Sequence, residues 1–166
     1  MMKSLFILGD ESFKNKVLYF IDMLGLKFNI LNIENFNFGS YMDYCIIDLN
    51  FGYTHTQSIT CNYCFVNNDL NIDMPIVTGN QVIYGFGINN NITYTSIDKD
   101  SNTFLYCLQG FFPTLKEELY NLEIPIQCRL DGLLDLNASM LGITLGILEG
   151  IDYLSIQEKY KNVIFL

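Results

Sequence analysis

Cys61-Asn62-Tyr63-Cys64 has the two-residue spacing of a zinc or redox pair, and His55, the only histidine, stands six residues upstream. A structural zinc takes four ligands, and no second pair of this kind occurs in the chain. If Cys61 to Val66 is one extended strand, an odd separation sends the two sulfurs to opposite faces, and a bend at Asn62 would reunite them. No metal is expected; Cys61, Cys64 and His55 are the only candidate ligands. A Ser/His/Asp or Cys/His catalytic set would also have to use His55, with Cys61, Ser58 or Asp48 as neighbours. Nothing marks a nucleophile elbow or an oxyanion loop, so no catalytic residue is expected. The five cysteines are an odd number and sit mostly in apolar stretches, which predicts buried, reduced thiols.

Phosphate chemistry would need a strand, a turn of small residues and a Lys-Ser/Thr pair, so that backbone N–H groups and a cation cradle the anion. Phe6-Ile7-Leu8-Gly9-Asp10-Glu11-Ser12-Phe13-Lys14 lies in the right place but supplies only Gly9. Asp10 and Glu11 put negative charge where phosphates would sit. Lys14 and Lys16 are followed by Asn and Val. ATP is not expected here. Asn67-Asn68-Asp69 closes an apolar run, where Asn and Asp commonly cap the next turn. Glu117-Glu118 and Asp98/Asp100 fall in polar turns and read as solvated charge.

These residues need a scaffold, and the chain supplies one. Its 166 residues fit a single domain with a sizeable core, and half of them are hydrophobic. A net charge of −9 repels phosphate backbones and anionic bilayers, so neither nucleic acid nor a membrane is expected as partner. A mean hydropathy of +0.23 with few charges hints at apolar surface covered by a second chain. Leu5–Leu8 is too short for a signal peptide and Leu133–Leu148 too short to span a bilayer, giving a cytoplasmic expectation.

Periodicity predicts a strand at Lys3–Leu8 and a helix at Glu11–Leu24, capped by Asp10 or Ser12 and stopped by Gly25. Strands follow at Lys27–Ile33, Tyr44–Leu49, Cys61–Val66 and Gln81–Tyr84, with a helical turn expected within 52–58 and a loop at Leu70–Asn80. Ile92–Ile97 and Thr103–Gln109 alternate around a turn cluster, as a hairpin does, and Ile124–Leu130 forms a third antiparallel strand. A buried helix at Leu133–Glu149, a short one at Ser155–Lys161 and an apolar tail at 163–166 complete the chain. Ala138, Gly142, Gly146 and Gly150 recur every fourth residue on the long helix. This smooth ridge serves either close packing within the domain or a homodimer seam. The expected architecture is α/β: a Rossmann-like, mostly parallel half at 1–90, a small three-stranded antiparallel extension at 91–130, and C-terminal helices at 131–166 packing on the sheet.

In this order, Val66-Asn67-Asn68-Asp69, Val82-Ile83-Tyr84-Gly85-Phe86 and Asn137-Ala138 before a long helix resemble the second half of the Mur ligase central domain. Those enzymes form amide bonds with ATP in peptidoglycan synthesis. The resemblance implies that Asn67 corresponds to a residue holding adenine, and that Tyr84-Gly85-Phe86 leads into three antiparallel strands. Leu133-Leu134 stand where the family has His-Asn. The resemblance covers the central domain alone, so a full ligase is not expected. It implies a shortened Mur-ligase-like domain without the phosphate loop, acting as a non-catalytic binding or assembly module linked to cell-wall precursors. The alternative is a nucleotide-dependent ligase or transferase working with a separate chain. Gly9, Asn67, Asp69 and Asn137 are the expected ligand-binding residues, the ligand itself being unknown. A homodimer or a protein partner is expected.

Overall fold

The computed structural model describes residues 2–35, 37, 39–49, 58–70, 76–113 and 118–163, and the side chains of all of these except 35, 111–113 and 118–120. His55, all but Ser58 of the turn expected within 52–58, and all but Val163 of the tail expected at 163–166 lie outside the described residues.

Eight strands among the described residues form one sheet: β1 (Ser4–Leu8), β2 (Asn29–Leu31), β3 (Tyr41–Ile47), β4 (Ser58–Asn67), β5 (Ile76–Tyr84), β6 (Ile92–Asp98), β7 (Thr103–Pro113) and β8 (Glu118–Gln127). Their spatial order is β2-β1-β3-β4-β5-β6-β7-β8. Neighbours are parallel from β2 to β5. A single pair, Tyr84 with Ile92, joins β6 in parallel, and β6-β7-β8 run antiparallel. This is the expected α/β class, with a Rossmann-like parallel part. The antiparallel strands continue the same sheet.

Among the described residues three α-helices lie against one face of the sheet, α1 (Glu11–Leu24), α2 (Leu133–Leu148) and α3 (Tyr153–Lys161). The Asp10 carboxylate, not Ser12, caps α1 by accepting from the Phe13 N–H at 2.8 Å. Gly25, at φ 79°, ends it in the left-handed conformation. The apolar stripe of Phe13, Val17, Phe20, Ile21 and Leu24 is buried. The longer α2 is buried on nearly every side, as its all-round apolarity demands.

The glycine ridge of α2 faces its neighbouring helices. A Cβ at Gly142 would stand 2.7 Å from the Phe20 Cβ and 3.0 Å from the Tyr160 hydroxyl, and one at Gly146 would touch Leu24 and Ile156. At Gly142 and Gly146 the ridge thus serves close packing within the domain, against α1 and α3. Lys16 pairs with Asp135, Phe20 abuts Gly142 and Leu24 abuts Gly146, so α1 and α2 run in the same direction. Both start at the carboxyl ends of the parallel strands. At the opposite end, the Lys3 ammonium bonds Glu149 at 2.7 Å, and the Tyr44 hydroxyl donates to the same carboxylate.

On the sheet's other face, Ile59 and Cys61 lie beside Cys64 and Val66, while Tyr63 and Phe65 point toward the helices. Strict alternation forbids this. A register shift between Thr60 and Tyr63 makes it possible, a β-bulge at the place where the sequence left room for a bend. Gly79, at φ 141°, lies so close that a Cβ there would fall 1.8 Å from the Cys61 carbonyl oxygen, and Asn80 Nδ2 donates to the Asn62 carbonyl at 3.0 Å. The expectation of opposite faces for Cys61 and Cys64 is thus corrected; they share one face with Cys45.

Gly79 and Asn80 read as loop residues but belong to β5, which begins five residues earlier than expected. The strand expected at Lys27–Ile33 shrinks to Asn29–Leu31, because Ile33–Asn35 winds into a 3₁₀ turn. The last strand sits at Glu118–Gln127 instead of Ile124–Leu130, its pairing with β7 extending outward to Pro113.

Candidate functional site

The chain leaves β1 for β2 on one side of it and takes up β3 on the other. In open α/β sheets such a switch point opens a crevice at the strands' carboxyl ends, where ligands bind. Here its floor is Gly9 and Asp10 after β1, Asp48 after β3, Asn67–Asp69 at the end of β4 and Tyr84–Phe86 at the end of β5.

The turn between β1 and α1 consists of Gly9 and Asp10 alone. A Cβ on Gly9 would lie 2.7 Å from the Phe13 ring, so this glycine makes room for a core aromatic. The carboxylate of Asp10 already occupies a first-turn amide of α1. That side chain places a carboxylate at the start of the helix, where a phosphate would have to sit.

Asp48 is the centre of the crevice. Its Oδ1 accepts from the Tyr84 hydroxyl at 2.5 Å and from Asn67 Nδ2 at 2.6 Å. Burial raises its carboxyl above the ordinary range, and the nearby charges of Asp10 and Asp69 raise it further against those two hydrogen bonds. The Tyr84 phenol is pushed well up, first by burial and then by Asp48. Asn67 is buried, and its own oxygen accepts the Asp69 N–H at 2.9 Å. Asp69 in turn accepts the Phe86 N–H at 2.9 Å on both oxygens. Gly85, at φ 136°, allows this: a Cβ there would sit 2.8 Å from the Asp69 carboxyl. Asn68 donates to Asn90 at 3.0 Å, and Asn90 Nδ2 is buried without a partner among the described residues.

Gly9, Asn67 and Asp69 all lie in this crevice, and Asn67 and Asp69 each hold its frame. Asn137 is buried in the second turn of α2, its Oδ1 unpartnered, and no hydrogen bond among the described residues joins it to them. Sequence reasoning missed Asp48 as the hub; the signal was an acid closing the apolar run Tyr44–Leu49.

Of the three candidate metal ligands, Cys61 and Cys64 are described and His55 is not. All five cysteines are free and buried, and among the described residues no three His, Cys, Asp or Glu side chains could hold a metal ion. The thiol of Cys61 is pushed up by its hydrogen bond with Cys64 and by burial, and that of Cys64 chiefly by Cys45, which keeps both protonated.

A second concavity lies beyond β6, a cavity of about 460 Å³ between the β6–β7 turn, the segment after β8 and the start of α2. Tyr94, Phe104, Leu130 and Leu136 supply apolar wall, and Lys99 and Arg129 supply positive charge. It brings together residues from 94 to 136 that no sequence motif links.

Among the described residues no helix is long and apolar enough to cross a membrane. No family model matches the sequence, and no curated protein matches it.

Proposed function

We propose that this protein is a non-catalytic binding or assembly module built on a Mur-ligase-like central domain that has lost its nucleotide chemistry. The observation that carries this reading is the state of the switch-point crevice. Asp10, Asp48, Asn67, Asp69 and Tyr84 are bonded to one another or to the backbone. A nucleotide phosphate placed there would meet three aspartates and no cation-bearing loop. The corresponding enzymatic reading, a nucleotide-dependent ligase or transferase acting with a separate chain, would have to dismantle this network first.

A cell-wall precursor or a cell-wall enzyme is the partner that the family resemblance suggests, in the cytoplasm. Phe86 and Ile88, 69% and 85% exposed in the turn after β5, offer apolar surface for a protein contact, with another protein or a second copy.

The test is calorimetry and thermal melting of the full chain with and without Mg-ATP, read beside an assay of ATP turnover. The expected result is no nucleotide-dependent shift and no turnover. A shift and turnover that both vanish in Asn67→Ala would establish the enzymatic reading instead.

A further inference from the structure

The cavity beyond β6 is built differently from the crevice. β5 ends at Tyr84, opposite the first residue of β6, so β6 carries the sheet past the ends of the other parallel strands. β8 returns to the same end, with Gln127 opposite Thr103, and residues 128–132 turn from there into α2. Hairpin tip, turn and helix start enclose the cavity, whose 460 Å³ falls in the range of small-molecule sites.

Its chemistry is amphipathic. Arg129 is the chain's single arginine, and neither it nor Lys99 makes a hydrogen bond or ion pair among the described residues. A guanidinium presents a planar fork that matches a carboxylate. Gly132, at the cap of α2, makes no side-chain cap bond, so the helix start beside the cavity adds its partial positive charge. The acid of that first turn, Asp135, is taken up elsewhere, by Lys16 and by the Asp131 N–H at 2.8 Å.

Two acids also line the cavity, Asp98 and Asp131. Asp98 is held below its ordinary range by hydrogen bonds from the Ser101 hydroxyl and from the Ser101 and Asp100 amides, so it stays charged. These two carboxylates balance the two cations, so the partial positive charge of the helix start is what remains to favour a single added negative charge, and a phosphate dianion is disfavoured. At the mouth, Ile97 and Leu133 are each 52% exposed, apolar surface that a hydrophobic ligand body would cover.

We propose that this cavity binds an amphipathic monocarboxylate, with its carboxylate between Arg129 and Lys99 at the start of α2 and its apolar body against Tyr94, Phe104 and Leu136. The assignment rests on the binding-module reading above and takes nothing from the family resemblance. It gives that module a ligand class and places it away from the switch-point crevice.

The test is calorimetric titration of the full chain with decanoate, decanol and inorganic phosphate, each below its aggregation limit. Decanoate is expected to bind, decanol about tenfold or more weakly, and phosphate not at all. Arg129→Gln is expected to weaken decanoate by about tenfold with the melting temperature unchanged, and Ile97→Glu to weaken it as well. Absence of decanoate binding, equal binding of decanoate and decanol, or full binding by Arg129→Gln would each overturn the assignment. The Mg-ATP experiment fails separately: nucleotide turnover removes the non-catalytic reading whatever decanoate does, and a silent cavity with no nucleotide response removes only the carboxylate site.

Discussion

The crevice at the strand ends and the cavity beyond β6 open on the same side of the molecule but treat their polar groups in opposite ways. In the crevice Asn67, Asp48, Asp69 and Tyr84 bond one another or neighbouring amides at 2.5–2.9 Å. Around the cavity, Arg129 and Lys99 have no such partners among the described residues, and apolar side chains stand exposed at the mouth. Polar groups that satisfy each other hold backbone in place; groups left over at a concave surface are available to something else. The position with the family-like motif is thus the frame, and the position with no motif is the better candidate for binding.

Substitutions can break this contrast, since changes in the crevice should alter stability and changes at the cavity should alter binding. Gly85→Ala should have the largest effect, a loss of roughly 3 kcal/mol in a denaturant melt, from strain at its φ of 136° and the clash with the Asp69 carboxyl. Asn67→Ala deprives Asp48 of a donor and the Asp69 amide of its acceptor, and should cost about 2 kcal/mol. Ser139→Ala should work the other way. Its hydroxyl is fully buried in α2 without a partner among the described residues, so removing it should stabilise the fold by about 1 kcal/mol.

Asp48 gives a pH-dependent version of the same test. Its folded carboxyl is raised, so the stability it contributes is complete below the unfolded carboxyl value near ~4 and is lost as pH rises through the folded one. Asp48→Asn keeps an oxygen for Tyr84 and Asn67 but cannot ionise. Melts at a series of pH values from acid to neutral should therefore show a flatter profile than wild type, and at least equal stability at neutral pH. Arg129→Gln should produce the smallest change in stability, within about 0.5 kcal/mol, as expected for an exposed side chain without partners. A large loss there would make Arg129 part of the frame and erase the contrast.

The sequence exposed much of the fold and little of the site, for identifiable reasons. α1 could be read because its stripe, its Asp10 cap and its Gly25 stop are all local. The start of β5 could not, because Gly79 has the appearance of a loop glycine until the bulge in β4 is set beside it. The bend at Asn62 that puts Cys61 and Cys64 on one face could be read only as an alternative for the same reason: a bulge on one strand is specified partly by the residue opposite. Asn67 and Asp69 were recognisable as a pair, but their partners Asp48 and Phe86 come from other strand ends. Arg129 stood out in no pattern, since the cavity that makes it notable is assembled from segments distant in the chain.

The shared direction of α1 and α2 reaches beyond packing. Phe20 waits for Gly142, and Lys3 bonds a glutamate 146 residues further along. At about 5–20 residues per second, the ribosome takes roughly 7–30 s to deliver that counterpart. Throughout this interval the side of the first helix that Gly142 and Gly146 cover lacks its native partner, although its stripe can already lie on β1 and β3. A nascent chain of this protein therefore carries uncovered apolar helix surface until its final third emerges.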